Sequence, residues 1–166
     1  MNYLPAPFIN ISQETILLAC LLHDIGSTPS NMHSTHLSFE FHGGIIAHTL
    51  LSSTASPQPQ YESVVEAIIR HQDLDTRGNI HALGSLMQIA TIVDNTGQYA
   101  DFVHKDTIAE VNKEFPRQGW SSTPGCVFAE TVREEGRCKP WAHTSKMGVE
   151  AFATGIEGNE VMREFE

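Results

Sequence analysis

The chain has 166 residues, of which 40% are hydrophobic, and its 10 Lys and Arg against 20 Asp and Glu give a formal net charge of −10 at pH 7. That length suits one domain with its own core, and the acidic balance leaves no basic stripe for phosphates, which argues against nucleic-acid binding and against anionic membranes. Cys20, Cys126 and Cys138 form no CxxC pair, no apolar run approaches the ~18 residues of a membrane span, and "MNYLPAPFIN" lacks the basic-then-apolar order of a secretory leader, so a reduced, cytoplasmic setting is expected.

Helical patterns follow one another along the chain, with no sustained alternation of the strand type. The first helix is expected over Glu14 to Asp24, with Ser12 as N-cap and Gly26 as its stop. Because Ile16 to Leu22 is almost wholly apolar, this helix is expected to be buried on all sides. A second runs from about His36 to Leu51 and ends at "SSTASPQPQ", whose Ser and Pro residues cannot extend it. Gly43 and Gly44 lie inside it at a cost of roughly 1 kcal/mol each, which points to close packing or to room for a small ligand. "YESVVEAIIRH" is the third, placing Val64, Ile68 and His71 on one face, and "QDLDTRGN" reads as a turn. The fourth, about Ile80 to Thr96, lines up Leu83, Met87, Ala90 and Asp94. "KDTIAEVNKEF" is amphipathic through Ile108, Val111 and Phe115, and Pro116 closes it. Beyond Arg117 the Gly, Pro and Trp content predicts irregular segments with one or two short helices. No repeat or linker marks a second domain, so residues 1–166 read as a single all-α helical bundle with a partly irregular C-terminal third.

Four polar residues break these apolar patterns. Asp94 falls on the apolar stripe of its helix, where a buried carboxylate costs several kcal/mol unless it meets a cation, a metal or a dense set of donors. His71 lies on the apolar side of the third helix, and His23 and Asp24 end the first, where the negative end of the helix dipole favours a cation. Three helices thus direct metal-capable groups inward, as a site built between helices requires. Each residue also has a plainer reading. His71 alone fits a core histidine bonded to a backbone carbonyl, and Asp94 fits a partner for Arg70 or a cap on the turn at Asn95 and Gly97. His33, His36, His42, His48, His81, His104 and His143 read as surface or satisfied positions, Met87 as core, and "REEGR" as a solvated face.

The doublet in "LLHDIG", with an aspartate in "ATIVDN" 70 residues downstream of Asp24, resembles the HD-domain superfamily of all-helical, metal-dependent phosphohydrolases and their relatives. Together with "LLHDIGSTPSNM", the blocks "LSFEFHGG", "EAIIRHQDL", "ALGSLMQIATIVDN", "KPWAHTS" and "GNEVM" are similar, in order, to fungal cyanamide hydratases and their close HD-domain relatives. The resemblance implies an HD-domain helical bundle in which His23, Asp24 and Asp94 hold a divalent metal, zinc or iron. It implies a hydro-lyase that adds water to a small nitrile, cyanamide to urea. Glu40, His71 and Asp73 then become candidates for acid/base work or for support behind the ligands. The plainer reading of Glu40 is an exposed carboxylate on a helix face.

In that superfamily the first metal-ligand histidine comes from an earlier helix, yet only 22 residues precede His23 and none is a histidine. The chain therefore reads as N-terminally shortened relative to the family or as having lost a ligand, with His33, His36, His42 and His48 as substitutes to weigh. Alternatives to the hydratase are a degenerate, non-catalytic HD domain and an HD-type phosphohydrolase. The second is disfavoured because no Lys or Arg cluster near the motifs could hold a phosphate. The expected partner is a small nitrile, with homo-oligomerisation left open.

Overall fold

The computed structural model describes residues 11–73, 79–121, 125–142, 144 and 148–166. All regular elements among the described residues are helical. The turn expected over "QDLDTRGN" lies largely outside them, as do His143 and the first ten residues. Contacts divide the chain into two compact units, Met1–Gln88 and Ile89–Glu166.

The first unit opens with α1, Gln13–Leu22, capped by Ser12, whose hydroxyl accepts from the Thr15 N–H at 3.1 Å. A cap of this kind contributes about 1 kcal/mol. Ser12→Ala is therefore expected to lower the melting temperature by about 2–4 °C, read by thermal melting. The expected all-round burial of α1 is corrected by the structure. Thr15 and Ala19 are buried, Ile16, Leu18 and Leu22 pack in partly behind them, and Leu17 and Leu21 are 57% and 69% exposed. Its inward side packs chiefly on α4, and the side carrying Leu17 and Leu21 remains at the surface.

A 3-10 turn, Ile25–Ser27, leads to α2, Pro29–His33, whose first residue is a proline as a helix start tolerates. Next comes α3, Phe39–Ser53, beginning later than expected because Ser38 takes the extended N-cap position. After it α4, Gln58–Arg70, packs along α3 and α1. Ala19, Ala47, Leu51, Val64, Ala67, Ile68, Leu83 and Met87 form the buried cluster of this unit. The close packing expected at the glycines of α3 is present. A Cβ on Gly43 would lie 3.3 Å from the Gly26 nitrogen, and one on Gly44 would lie 2.6 Å from Ile69 Cγ1. Gly26 is more than a helix stop, since a Cβ there would fall 2.1 Å from the Phe39 carbonyl oxygen, so the turn lies directly on the backbone of α3.

The helix α5, Ala82–Thr96, begins in the first unit and ends in the second. Its inward stripe drifts from the expected one, with Leu83 and Met87 buried but Ala90 exposed and Asp94 half-buried. In the second unit α6, Lys105–Glu114, buries Ile108, whereas Val111 and Phe115 are 52% and 76% exposed, against the expected stripe. Among the described residues of the C-terminal third, two α-helices lie between irregular segments: α7, Val127–Cys138, and α8, Val149–Glu157, which pack together, and a 3-10 helix, Arg163–Phe165, follows. Gly136 permits their approach, because a Cβ there would meet Val149 Cγ2 at 2.4 Å. The "REEGR" run is only partly a solvated face. Arg133 bridges α7 to Glu150 and Glu157 on α8, and Glu135 is fully buried and accepts from the Thr144 hydroxyl at 2.7 Å. No helix among the described residues is long and apolar enough to cross a membrane.

Candidate metal centre

The greasy segment that stops at His23 and Asp24 stops there for a local reason. A helix leaves its last carbonyls without amide partners, and a side-chain donor just past the end can satisfy one of them. His23 is the C-cap of α1, and its Nδ1 lies 2.8 Å from the Cys20 carbonyl oxygen three residues back. His71, the C-cap of α4, repeats the arrangement with its Nδ1 2.6 Å from the Ile68 carbonyl oxygen. A carbonyl oxygen only accepts, so in both rings Nδ1 carries the proton and donates. The opposite ring nitrogens are thereby aimed. His23 Nε2 lies 3.3 Å from Asp24 Oδ2, and His71 Nε2 lies 3.4 Å from Asp24 Oδ1. The two imidazoles meet edge-on with centroids 5.2 Å apart, and the Phe39 ring backs His71 at 5.7 Å.

A carboxylate flanked on both oxygens by imidazole nitrogens needs positive charge between the partners, as protons or as a metal ion. Asp24 Oδ1 is buried and outside hydrogen-bonding geometry. Burial pushes the Asp24 carboxyl up, but His23 and then His71 outweigh it and hold it well below the usual carboxylate range, so Asp24 is anionic. An anionic carboxylate and imidazole nitrogens with fixed tautomers, each backed by a backbone carbonyl, are donors of the kind a divalent metal takes.

The other expected site residues are placed as follows. Glu40, in the first turn of α3, is fully buried, so the exposed helix-face reading does not hold. His71 is also fully buried. Asp73 receives the Arg70 Nε–H at 3.1 Å, while Arg70 also reaches Glu66 at 3.5 Å and the Asn79 carbonyl at 3.1 Å. Arg70 is thus Asp73's partner, and the cation beside Asp94 is another residue, Arg117 in the second unit. Of the substitute histidines, His33 and His36 are exposed, His42 donates from Nδ1 to the Asn31 carbonyl at 3.2 Å, and His48 packs edge-on against Tyr61.

Residues not singled out by the sequence surround Asp94. The Asn159 amide donates to the Val93 and Asp94 carbonyls at 3.1 and 2.9 Å. Gly97, with φ at +73°, makes room for it, since a Cβ there would lie 2.6 Å from Asn159 Oδ1. Asn159 belongs to the "GNEVM" block, which was the one available signal. Arg117 carried none, because its acidic partners Asp94 and Glu166 lie 23 and 49 residues away in the chain.

An all-helical fold with a His-Asp doublet at the end of one helix and a buried histidine ending another defines an HD domain, and the chain belongs to that family, whose model matches residues 4–116. Among curated proteins it is similar to the cyanamide hydratases DDI2 and DDI3 of Saccharomyces cerevisiae, each 45% identical over 143 residues. The match covers 86% of this chain and 62% of each relative, so the chain spans less than two thirds of their length.

Proposed function

We propose that this protein is a metal-dependent hydro-lyase that adds water across a small nitrile and converts cyanamide to urea. The observation that carries the reading is Asp24 held between His23 and His71, an anionic, imidazole-flanked site in a chain whose relatives are cyanamide hydratases. His23 and Asp24 are the proposed ligands from the first unit, and Asp94 is the further ligand proposed from the sequence blocks. When bound there, a divalent metal supplies an acidified water, shifting a pKa of ~15.7 toward ~7. The chain's own groups move the protons. Hydration forms one C–O bond, takes a proton from the attacking water and delivers one to the nitrile nitrogen, after which a second O-to-N proton shift gives urea. Glu40, a buried carboxylate, and His71 are the proposed carriers. Asp73, engaged by Arg70, is assigned to positioning the end of α4.

The pairing of Arg70 favours a neutral substrate over a phosphate ester. Arg70 is the sole Lys or Arg among its described residues, and it is committed to Glu66, Asp73 and Asn79. The purified chain, reconstituted with zinc or ferrous iron, is expected to release urea from cyanamide and to lose that activity on chelation. A chain that binds metal stoichiometrically and yields no urea would rule the hydratase reading out.

A further inference from the structure

The contacts around His71 close into a ring of residues that all belong to the first unit. Asp24 Oδ1 faces His71 Nε2 at 3.4 Å, and the His71 ring meets the Phe39 ring with centroids 5.7 Å apart and planes at 61°. The Phe39 carbonyl oxygen in turn lies against Gly26, two residues past Asp24, where a Cβ would come within 2.1 Å of it. Phe39 thus touches both ends of the pair. It is 1% exposed, in the first turn of α3. One turn later Gly43 lies against the same two segments, since a Cβ there would be 3.5 Å from Ile68 Cγ2 and 3.6 Å from Ile25 Cγ2, and Ile68 supplies the carbonyl that holds His71 Nδ1 at 2.6 Å. The start of α3 is a wedge between the turn after the doublet and the end of α4.

We propose that Phe39 is a positioning residue for His71, its ring fixing the plane of the imidazole while its backbone seats the turn after Asp24, so that Nε2 stays aimed at the carboxylate. Its bearing on catalysis rests on the reading of His71 as a proton carrier. The Ile68 hydrogen bond holds one ring atom and selects the tautomer with Nδ1 protonated, but a contact at one point leaves the ring free to swing about it. A flat apolar ring packed at a tilted, edge-type distance removes that freedom, and the His23 ring closes another approach edge-on at 5.2 Å. A swinging imidazole would break the line from Nε2 to Asp24, and a proton carrier works only within hydrogen-bond reach of its partner. Leucine or methionine at position 39 would fill much of the volume, yet neither has a plane to set against the imidazole.

The test uses the full chain in two states. In the metal-free protein, labelled with nitrogen-15 at histidine, NMR reads the protected Nδ1–H of His71, assigned by its loss in His71→Gln; in the zinc-loaded protein, urea release from cyanamide gives kcat and KM. The variants are Phe39→Leu and Phe39→Met, the second keeping the core filled because methionine adapts to irregular space. Val64→Ala is the stability control, a fully buried residue two turns before His71 on α4. The expected result is a weakened or exchange-averaged Nδ1–H signal in the folded Phe39 variants and a kcat lowered about 10–100-fold with KM changed less, the size typical of a group behind a functional side chain. Val64→Ala should keep both despite its fall in melting temperature. Folded Phe39 variants with the wild-type signal, or a Val64→Ala protein that loses it equally, would overturn the positioning role. A lost signal with unchanged kcat would keep Phe39 as the residue that places His71 and overturn the proton-carrier reading instead. A wild type that forms no urea fails the hydratase reading alone, and the NMR comparison still decides the role of Phe39.

Discussion

His23→Ala is expected to reduce bound metal to background and to abolish urea formation, with little loss of fold. The substitution removes the Nε2 donor that faces Asp24 Oδ2 at 3.3 Å and leaves the anionic carboxylate with one imidazole instead of two. The loss of activity should exceed the ~10–100-fold typical of removing a group behind a ligand, because the donor itself is gone. The structural cost is small by comparison. His23 also donates to the Cys20 carbonyl, a hydrogen bond at a partly exposed helix end that contributes roughly 1 kcal/mol, or about 2–4 °C in melting temperature. Elemental analysis beside a thermal melt separates the two effects. A folded His23→Ala protein with undiminished metal content would remove the doublet from the proposed centre.

Gly26→Ala is the substitution expected to damage the fold most. Its φ is unexceptional, so the objection is space alone. The new Cβ would meet Phe39 O at 2.1 Å, Gly43 N at 2.8 Å and the Phe39 carbonyl carbon at 2.9 Å, all of them backbone atoms that cannot rotate aside. Relief requires the turn after the His-Asp doublet to lift off α3. Overpacking of a core ordinarily costs 1–3 kcal/mol, and with rigid atoms on the far side about 3 kcal/mol or more is expected, a fall of roughly 6–12 °C in melting temperature. Gly44→Ala is the internal comparison, since its closest neighbours are Ile69 Cγ1 and Cδ1, side-chain atoms that can change rotamer. It should cost clearly less. Equal melting temperatures for the two variants would contradict the close contact between the turn and α3, and a Gly26→Ala protein with full metal content would show that Asp24 does not depend on that contact.

The cost of each change traces to what a one-dimensional pattern can and cannot carry. The all-α class was legible because the apolar residues recur at helical spacing, and helix ends were legible to within a few residues because Ser12, Pro57 and Pro116 are local signals. The inward placement of His71 was legible as well. His71 sits seven residues after Val64 and three after Ile68, and all three are fully buried on one face of α4. The all-round burial read from Ile16 to Leu22 failed for a physical reason: an apolar run records a propensity to be covered, but the number of neighbours that cover it is a property of packing, and α4 covers only one side. The face containing Val111 and Phe115 failed in the same way.

What the sequence determined by itself is the set of residues that end helices with chemistry in hand. His23 and His71 stand at C-caps because the apolar periodicity stops at them, and a histidine at that position turns its Nδ1–H back to its own helix and its Nε2 outward. What only the tertiary structure decided is where those nitrogens and the distant charges meet. Glu40 is fully buried at the start of α3, the segment against which the 3-10 turn at Gly26 closes. Asp94 acquired Arg117, and Arg117 acquired Glu166, across 23 and 49 residues of chain. Local periodicity encodes no such distance, since a charge finds its partner through the low dielectric of a packed interior and not through its neighbours in sequence.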